Sequence, residues 1–218
     1  MRSGRDAARL VAVLLPIAVA AGGCASPPSA SGSPTAASPA TVSTAGATAT
    51  GSTSASPSAS AAGPRLVVDA RLLLVLPARI GGVALEPDPT TAAQIAADPT
   101  LAGSAQAIDV ALAISPGTSS GGDDLAIVSV IRLRPGVFSD AWFATWRSTY
   151  DQAACEVAGG VKGAPSQVSI AGRTVYVGTC AGDARTYHVH LADPTLIVSI
   201  TAAGPHRFGE LVVDGLAQ

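Results

Sequence analysis

Three hydrophobic patterns divide the chain. Residues 10–21, LVAVLLPIAVAA, are an unbroken apolar run of twelve. Residues 25–63 hold only Ala, Ser, Thr, Pro and Gly apart from Val42, with no charge and no period. From Arg65 onward, apolar positions recur at the spacings that secondary structure imposes. Asp69 is placed to cap a short helix in ARLLLVLP, which Pro77 ends. IGGVAL, residues 80–85, reads as a short strand after a Gly-Gly turn. A helix from about Thr91 to Ala97 is fenced by Pro89 and Pro99. AIDVALAI alternates, with Ile108, Val110, Leu112 and Ile114 on one face of a strand. DLAIVSVIRLR, residues 124–134, is apolar on both faces at its start, which predicts a strand inside a sheet. The short loop SPGTSSGGDD makes these two strands an antiparallel pair.

FSDAWFATWRSTYDQAAC, residues 138–155, gives the clearest helix. Ser139 suits the N-cap and Asp140 the first turn. Phe138 and Phe143 have the spacing of a hydrophobic staple. Phe143, Trp146, Tyr150 and Ala153 or Ala154 form one stripe. SQVSIAGRTVYVGTC then reads as a hairpin turning at Ala171-Gly172, and RTYHVHLADPTLIVSI as another turning at Asp193-Pro194. HRFGELVVDGLAQ closes the chain as a helix with Phe208, Leu211, Val212 and Leu216 on one side. This order predicts an α+β domain: an antiparallel sheet with helices mainly on one face.

Composition adds the organisation. The chain has 218 residues, and the periodic part from 64 to 218 is the size of one domain with a full core. The 39 residues from 25 to 63 bury too little apolar surface to offset their ordering entropy. A disordered tether is expected there, about 35 Å end to end. Its Ser/Thr content also makes it a glycosylation candidate. Net charge is −2, with a single lysine, Lys162, and the basic residues after position 24 stand singly. The sequence holds no basic block that could neutralise several phosphates, which argues against a nucleic-acid partner.

The first 23 residues have the layout of a signal peptide. Arg2, Arg5 and Arg9 precede the apolar run, which falls short of the roughly 20 residues a span needs. Ala21-Gly22-Gly23-Cys24 follows. This tetrapeptide resembles the lipobox of bacterial lipoproteins, with Ala21 where leucine is commoner. The resemblance implies a diacylglyceryl thioether on Cys24, cleavage before Cys24 and acylation of the new amino terminus. Two or three acyl chains give stable anchoring. The expectation is an extracytoplasmic protein anchored in the cell membrane, with residues 1–23 removed and 24–63 as lipidated tether. The other reading is an ordinary secretory signal cut at Ala25 or Ser26.

The leucine-proline-IGG start, the aromatic central helix and the GELVVDGL end resemble the small α+β domains of actinobacterial envelope lipoproteins, distantly PsbP/Mog1-like. That resemblance implies a location rather than an activity.

Cys155 ends the aromatic helix and Cys180 ends a strand. In an oxidising compartment the two are expected to join as a structural disulfide worth roughly 3.5 kcal/mol. A redox pair would have CxxC spacing, which is absent.

Four features are candidates for chemistry. Gly117-Thr118-Ser119-Ser120-Gly121 matches GxSxG, but a nucleophile elbow needs a following helix and here a strand follows. His188 and His190, two apart on a strand, share a face and are metal-ligand candidates, with His206 or an aspartate as third ligand. The other reading places them as surface residues on a partly solvated sheet face. Asp123-Asp124 reads as a solvated turn. Phe138, Trp142, Phe143, Trp146 and Tyr150 are five of eight aromatics. Trp142, Trp146 and Tyr150 either line a pocket for a small apolar ligand or pack as core. The functional expectation is a monomeric, non-enzymatic binding or accessory lipoprotein, without cofactor, whose partner is a small apolar ligand or an envelope protein. The alternative is an extracytoplasmic hydrolase using Ser119 with a histidine.

Overall fold

The computed structural model describes residues 64–115 and 123–217. The leader, Cys24, the tether and Ser119 lie outside them. The described part begins with β1 (Val67–Val68) and a 3-10 helix, Ala70–Val75. Asp69 accepts from the Arg71 N–H at 3.1 Å and caps this helix as expected. β2 (Arg79–Ile80) and β3 (Val83–Ala84) follow. IGGVAL is therefore not one strand. Gly81 and Gly82, at φ 53° and 83°, turn the chain back on itself between two short strands. Both angles are left-handed, which glycine adopts at little steric cost.

β4 (Glu86–Pro87) leads into α1 (Pro89–Ala96) and α2 (Pro99–Ser104). The second helix was not legible because Pro99 looked like a terminator. Proline at the first position of a helix loses no hydrogen bond, and Asp98 caps α2 as Asp88 caps α1. The repeated Asp-Pro pair was the signal.

Two long strands, β5 (Ala105–Ser115) and β6 (Asp124–Leu133), form the antiparallel pair that alternation predicted. α3 (Asp140–Glu156) begins at the Ser139 cap, whose hydroxyl accepts from Trp142 N–H at 3.1 Å. The hairpins are β7 (Ser166–Ile170) with β8 (Arg173–Thr179), and β9 (Arg185–His190) with β10 (Leu196–Ala203). α4 (Phe208–Asp214) closes the described chain. The sheet runs β7-β8-β9-β10-β6-β5. β1 and β4 share the outer edge of β5, β1 parallel at Ala107 and Ile108, β4 antiparallel at Ala111 and Leu112.

The fold is α+β with a mainly antiparallel sheet. α1, α2 and α3 cover one face, over Ile108, Val110, Ile131 and Ile197. α4, the 3-10 helix and the β2–β3 hairpin cover the other, over Val128, Val130, Val189, Val198 and Ile200. Central strands buried on both sides explain the near-continuous apolar run of β6. On α4 the buried set is Phe208, Val212 and Val213, with Leu216 buried just past its end, while Leu211 is exposed, so the helix is turned slightly from its expected face. Cys155 and Cys180 are joined, with Cα atoms 5.0 Å apart, tying the end of α3 to the residue that directly follows β8. Among the described residues no helix is long and apolar enough to cross a membrane.

Candidate functional site: a sealed serine, histidine and aspartate chain

Strand alternation sets the site. Thr186 and His188 alternate with Tyr187 and Val189, so both point toward α3 while their neighbours face α4. Ser199 on β10 lies directly opposite His188 in the ladder, and Ser129 on β6 lies opposite Ser199. From above, α3 lowers Trp146, Tyr150 and Asp151 onto this polar row.

The contacts form one directional chain. Trp146 Nε1–H donates to Ser199 Oγ at 3.2 Å. Ser199 Oγ is 3.0 Å from His188 Nδ1, and His188 Nε2 is 2.9 Å from Asp151 Oδ1. The Thr186 hydroxyl donates to the same carboxylate oxygen. An indole only donates and a carboxylate only accepts. Ser199 therefore gives its proton to Nδ1, and His188 donates from Nε2 as a neutral imidazole. This tautomer is inferred from the partners. Burial lowers the His188 pKa, against the opposing hydrogen bond and charge of Asp151. Beside the chain, Tyr150 OH is 3.1 Å from Thr201 Oγ1, and its ring meets His188 edge-on at 5.0 Å. Burial, its largest influence, pushes the Tyr150 pKa up to about 12.

Asp151 reaches the sheet because position 178 is glycine. A Cβ there would stand 2.7 Å from Asp151 Oδ2 and closer still to Thr186 Oγ1. The helix side chain occupies the space that any other residue on β8 would fill.

Ser199, His188 and Asp151 are the residue types of a nucleophilic triad, but the arrangement differs. A triad puts the acid on Nδ1 and the serine on Nε2. Here the acid is on Nε2 and the serine on Nδ1, so the ring is reversed. Whole-residue exposures are 0% for Ser199, 1% for His188 and 5% for Asp151. A substrate carbonyl has no approach to Ser199 Oγ, which already faces the Trp146 indole. What this chain does is fix the rotation and register of α3 on the sheet.

The candidate residues are distributed as follows. His188 and His190 do share a face, but it is the packed α3 face rather than a partly solvated one. His188 has both ring nitrogens engaged. His190 stacks on Phe138 with centroids 3.8 Å apart, and its Nε2 is buried without a partner. His206 lies elsewhere, with Nδ1 2.5 Å and its backbone N–H 2.8 Å from the Asp124 carboxylate. Asp124 is thus a buried first residue of β6, not a solvated turn. Among the described residues no three His, Cys, Asp or Glu side chains come together as a metal site. Trp146 and Tyr150 are packed into the core, and Trp142 is half-buried, stacked on Trp146 at 5.8 Å.

Of three surface cavities, the first takes in one candidate residue, His190. One of about 460 Å³ lies between Val75, Arg173, Leu191 and Leu196. One of about 360 Å³ lies between Arg185, Tyr187 and Arg207. A third of about 460 Å³ lies between Val83, Pro87, Leu112 and Ile114. The strand ends flanking the loop that carries Ser119 are Ser115 and Asp124, which pair with each other. His188 is level with Ser129, five residues along β6 from Asp124 and two strands across. Five residues are about 17 Å of strand.

Asp151, Thr186 and Ser199 were missed in the sequence. Asp151 stands eight residues after Phe143, a position the apolar stripe should occupy, and a charge there was the available signal. The chain matches no protein-family model, no curated protein and no solved structure.

Proposed function

We propose that the chain is a lipid-anchored extracytoplasmic accessory protein. Cys24 carries the acyl groups, residues 25–63 space the domain from the bilayer, and the domain works by surface binding. One observation carries this reading. Cys155 and Cys180 are bonded to each other, so Cys24 is left as the one cysteine of three without a disulfide partner within the chain. A disulfide favours an oxidising compartment, and a single remaining cysteine directly after AGG is what lipid modification requires. The sealing of Ser199, His188 and Asp151 in the core supports binding over catalysis at that cluster. The test is growth of expressing cells with an alkyne-tagged fatty acid. Label on the wild-type chain and none on Cys24→Ser supports the anchor. An unlabelled wild-type chain recovered in the soluble fraction refutes it.

The hydrolase reading draws on one observation. Asp124 holds Nδ1 of an exposed His206, the orientation of a catalytic base, at the sheet end where the Ser119 loop leaves β5. A fluorophosphonate probe decides it. Labelling that disappears in Ser119→Ala and in His206→Ala supports a serine hydrolase, and no labelling of the wild-type chain ends that reading.

A further inference from the structure

We infer that the domain carries a bilayer-facing patch at its entry, built from Arg65, Val67, Arg71 and Leu74. The inference rests on the anchored reading above for its occupant, an anionic lipid surface.

Charge is unevenly placed. Residues 64–82 hold three arginines against one aspartate, while residues 83–218 hold seven basic against thirteen acidic residues. Asp69 is committed to capping the 3-10 helix. Arg65, Arg71 and Arg79 are all exposed. Arg134 reaches the same point from the end of β6, donating from Nη2 to the Arg65 carbonyl at 3.2 Å. The entry is therefore the basic end of an otherwise acidic domain.

Apolar exposure coincides with it. Leu74 is 79% exposed, the most of any large apolar residue described, and Val67, whose pairing with Ala107 puts it on the same side of the sheet as the 3-10 helix, is 54% exposed. A 3-10 helix repeats every three residues, so Arg71 and Leu74 stand one above the other. Leu72, between them in sequence, points inward and is buried. Exposed arginines on the same segment as an exposed leucine and valine match what an interfacial lipid surface takes: acyl-level contact for the apolar groups and anionic headgroups for the guanidiniums.

The position of the chain selects the bilayer over a protein partner. Cys24 is separated from Arg65 by forty residues, so an anchored chain holds this end nearer the lipid than any other. Docking here would reel the domain down onto the membrane instead of leaving it at the end of its spacer.

The test uses the chain from position 24 to 218 bearing Cys24→Ser, so that no acyl group contributes. It is floated with vesicles of phosphatidylcholine and with vesicles of phosphatidylcholine mixed equally with phosphatidylglycerol. Binding to the anionic vesicles alone, reversed by salt, is expected. The double variant Arg65→Gln and Arg71→Gln should bind more than about tenfold more weakly, and Leu74→Ser severalfold more weakly. All three side chains are exposed, and circular dichroism checks that the variants fold. No binding to anionic vesicles, or binding unchanged in these variants, overturns the patch. That result leaves the anchor standing if wild-type chain takes the fatty-acid label. Conversely, an unlabelled Cys24 removes the anchor while salt-sensitive vesicle binding still establishes the patch.

Discussion

The two faces of the sheet are packed by different chemistry. Under α4 and the 3-10 helix the contacts are almost wholly apolar, with Phe208, Val212 and Val213 on Val189, Val198 and Ile200. Under α3 the aromatics surround a hydrogen-bonded row of Thr186, His188 and Ser199 that meets Asp151. Apolar contact is non-directional and sums with area. A polar chain stabilises only in one geometry, because each buried donor left unmade costs its desolvation. The first face holds its helix by area. The second holds its helix in one register.

The largest expected effect lies on the apolar face. Phe208→Ala should cost about 4 kcal/mol in urea unfolding, from lost burial and a cavity. Its cost should be equal at pH 7.5 and pH 5.5, since no titrating group of the polar row is touched. Next comes Gly178→Ala on the polar face. The added methyl displaces Asp151 and Thr186, and about 3 kcal/mol should be lost. A loss below about half a kcal/mol would mean the helix does not approach β8 so closely.

The smallest effect is the most diagnostic. Burial lowers the His188 pKa below its unfolded value, so the unfolded state binds the proton more readily. Stability contributed by neutral His188 is intact above about pH 6.5 and declines as pH falls toward the native pKa. The decline is at most about 1.4 kcal/mol per pH unit. Urea midpoints measured across pH 7.5 to 5 should fall in wild-type protein and in Phe208→Ala, and flatten in His188→Asn. Equal slopes in all three would place the titration elsewhere.

The difference between faces also explains what was legible. Apolar periodicity reports area, so β5, β6, both hairpins and α3 could be read from Ile108, Val110 or Phe143, Trp146 and Tyr150. The polar row could not. Thr186 and Ser199 look like solvent-side residues in an alternating strand, and only the helix packed across them makes them interior. Asp151 broke the stripe but did not name its partner. Gly178 reads as a weak point in a strand until the side chain filling its space is known. The short pieces failed for another reason. In α2 and the β2–β3 hairpin, proline and glycine start structure as readily as they stop it.

The disulfide then acquires a role in manufacture. Cys155 is one helical turn beyond Asp151, and Cys180 is two residues beyond Gly178. If α3 docked one turn out of place, the helix would be displaced by about 5.4 Å and the two sulfurs could no longer meet. Oxidation is thus an inspection step. A molecule whose buried aspartate sits over its glycine presents a closable pair of thiols, and the bond, once closed, holds that register.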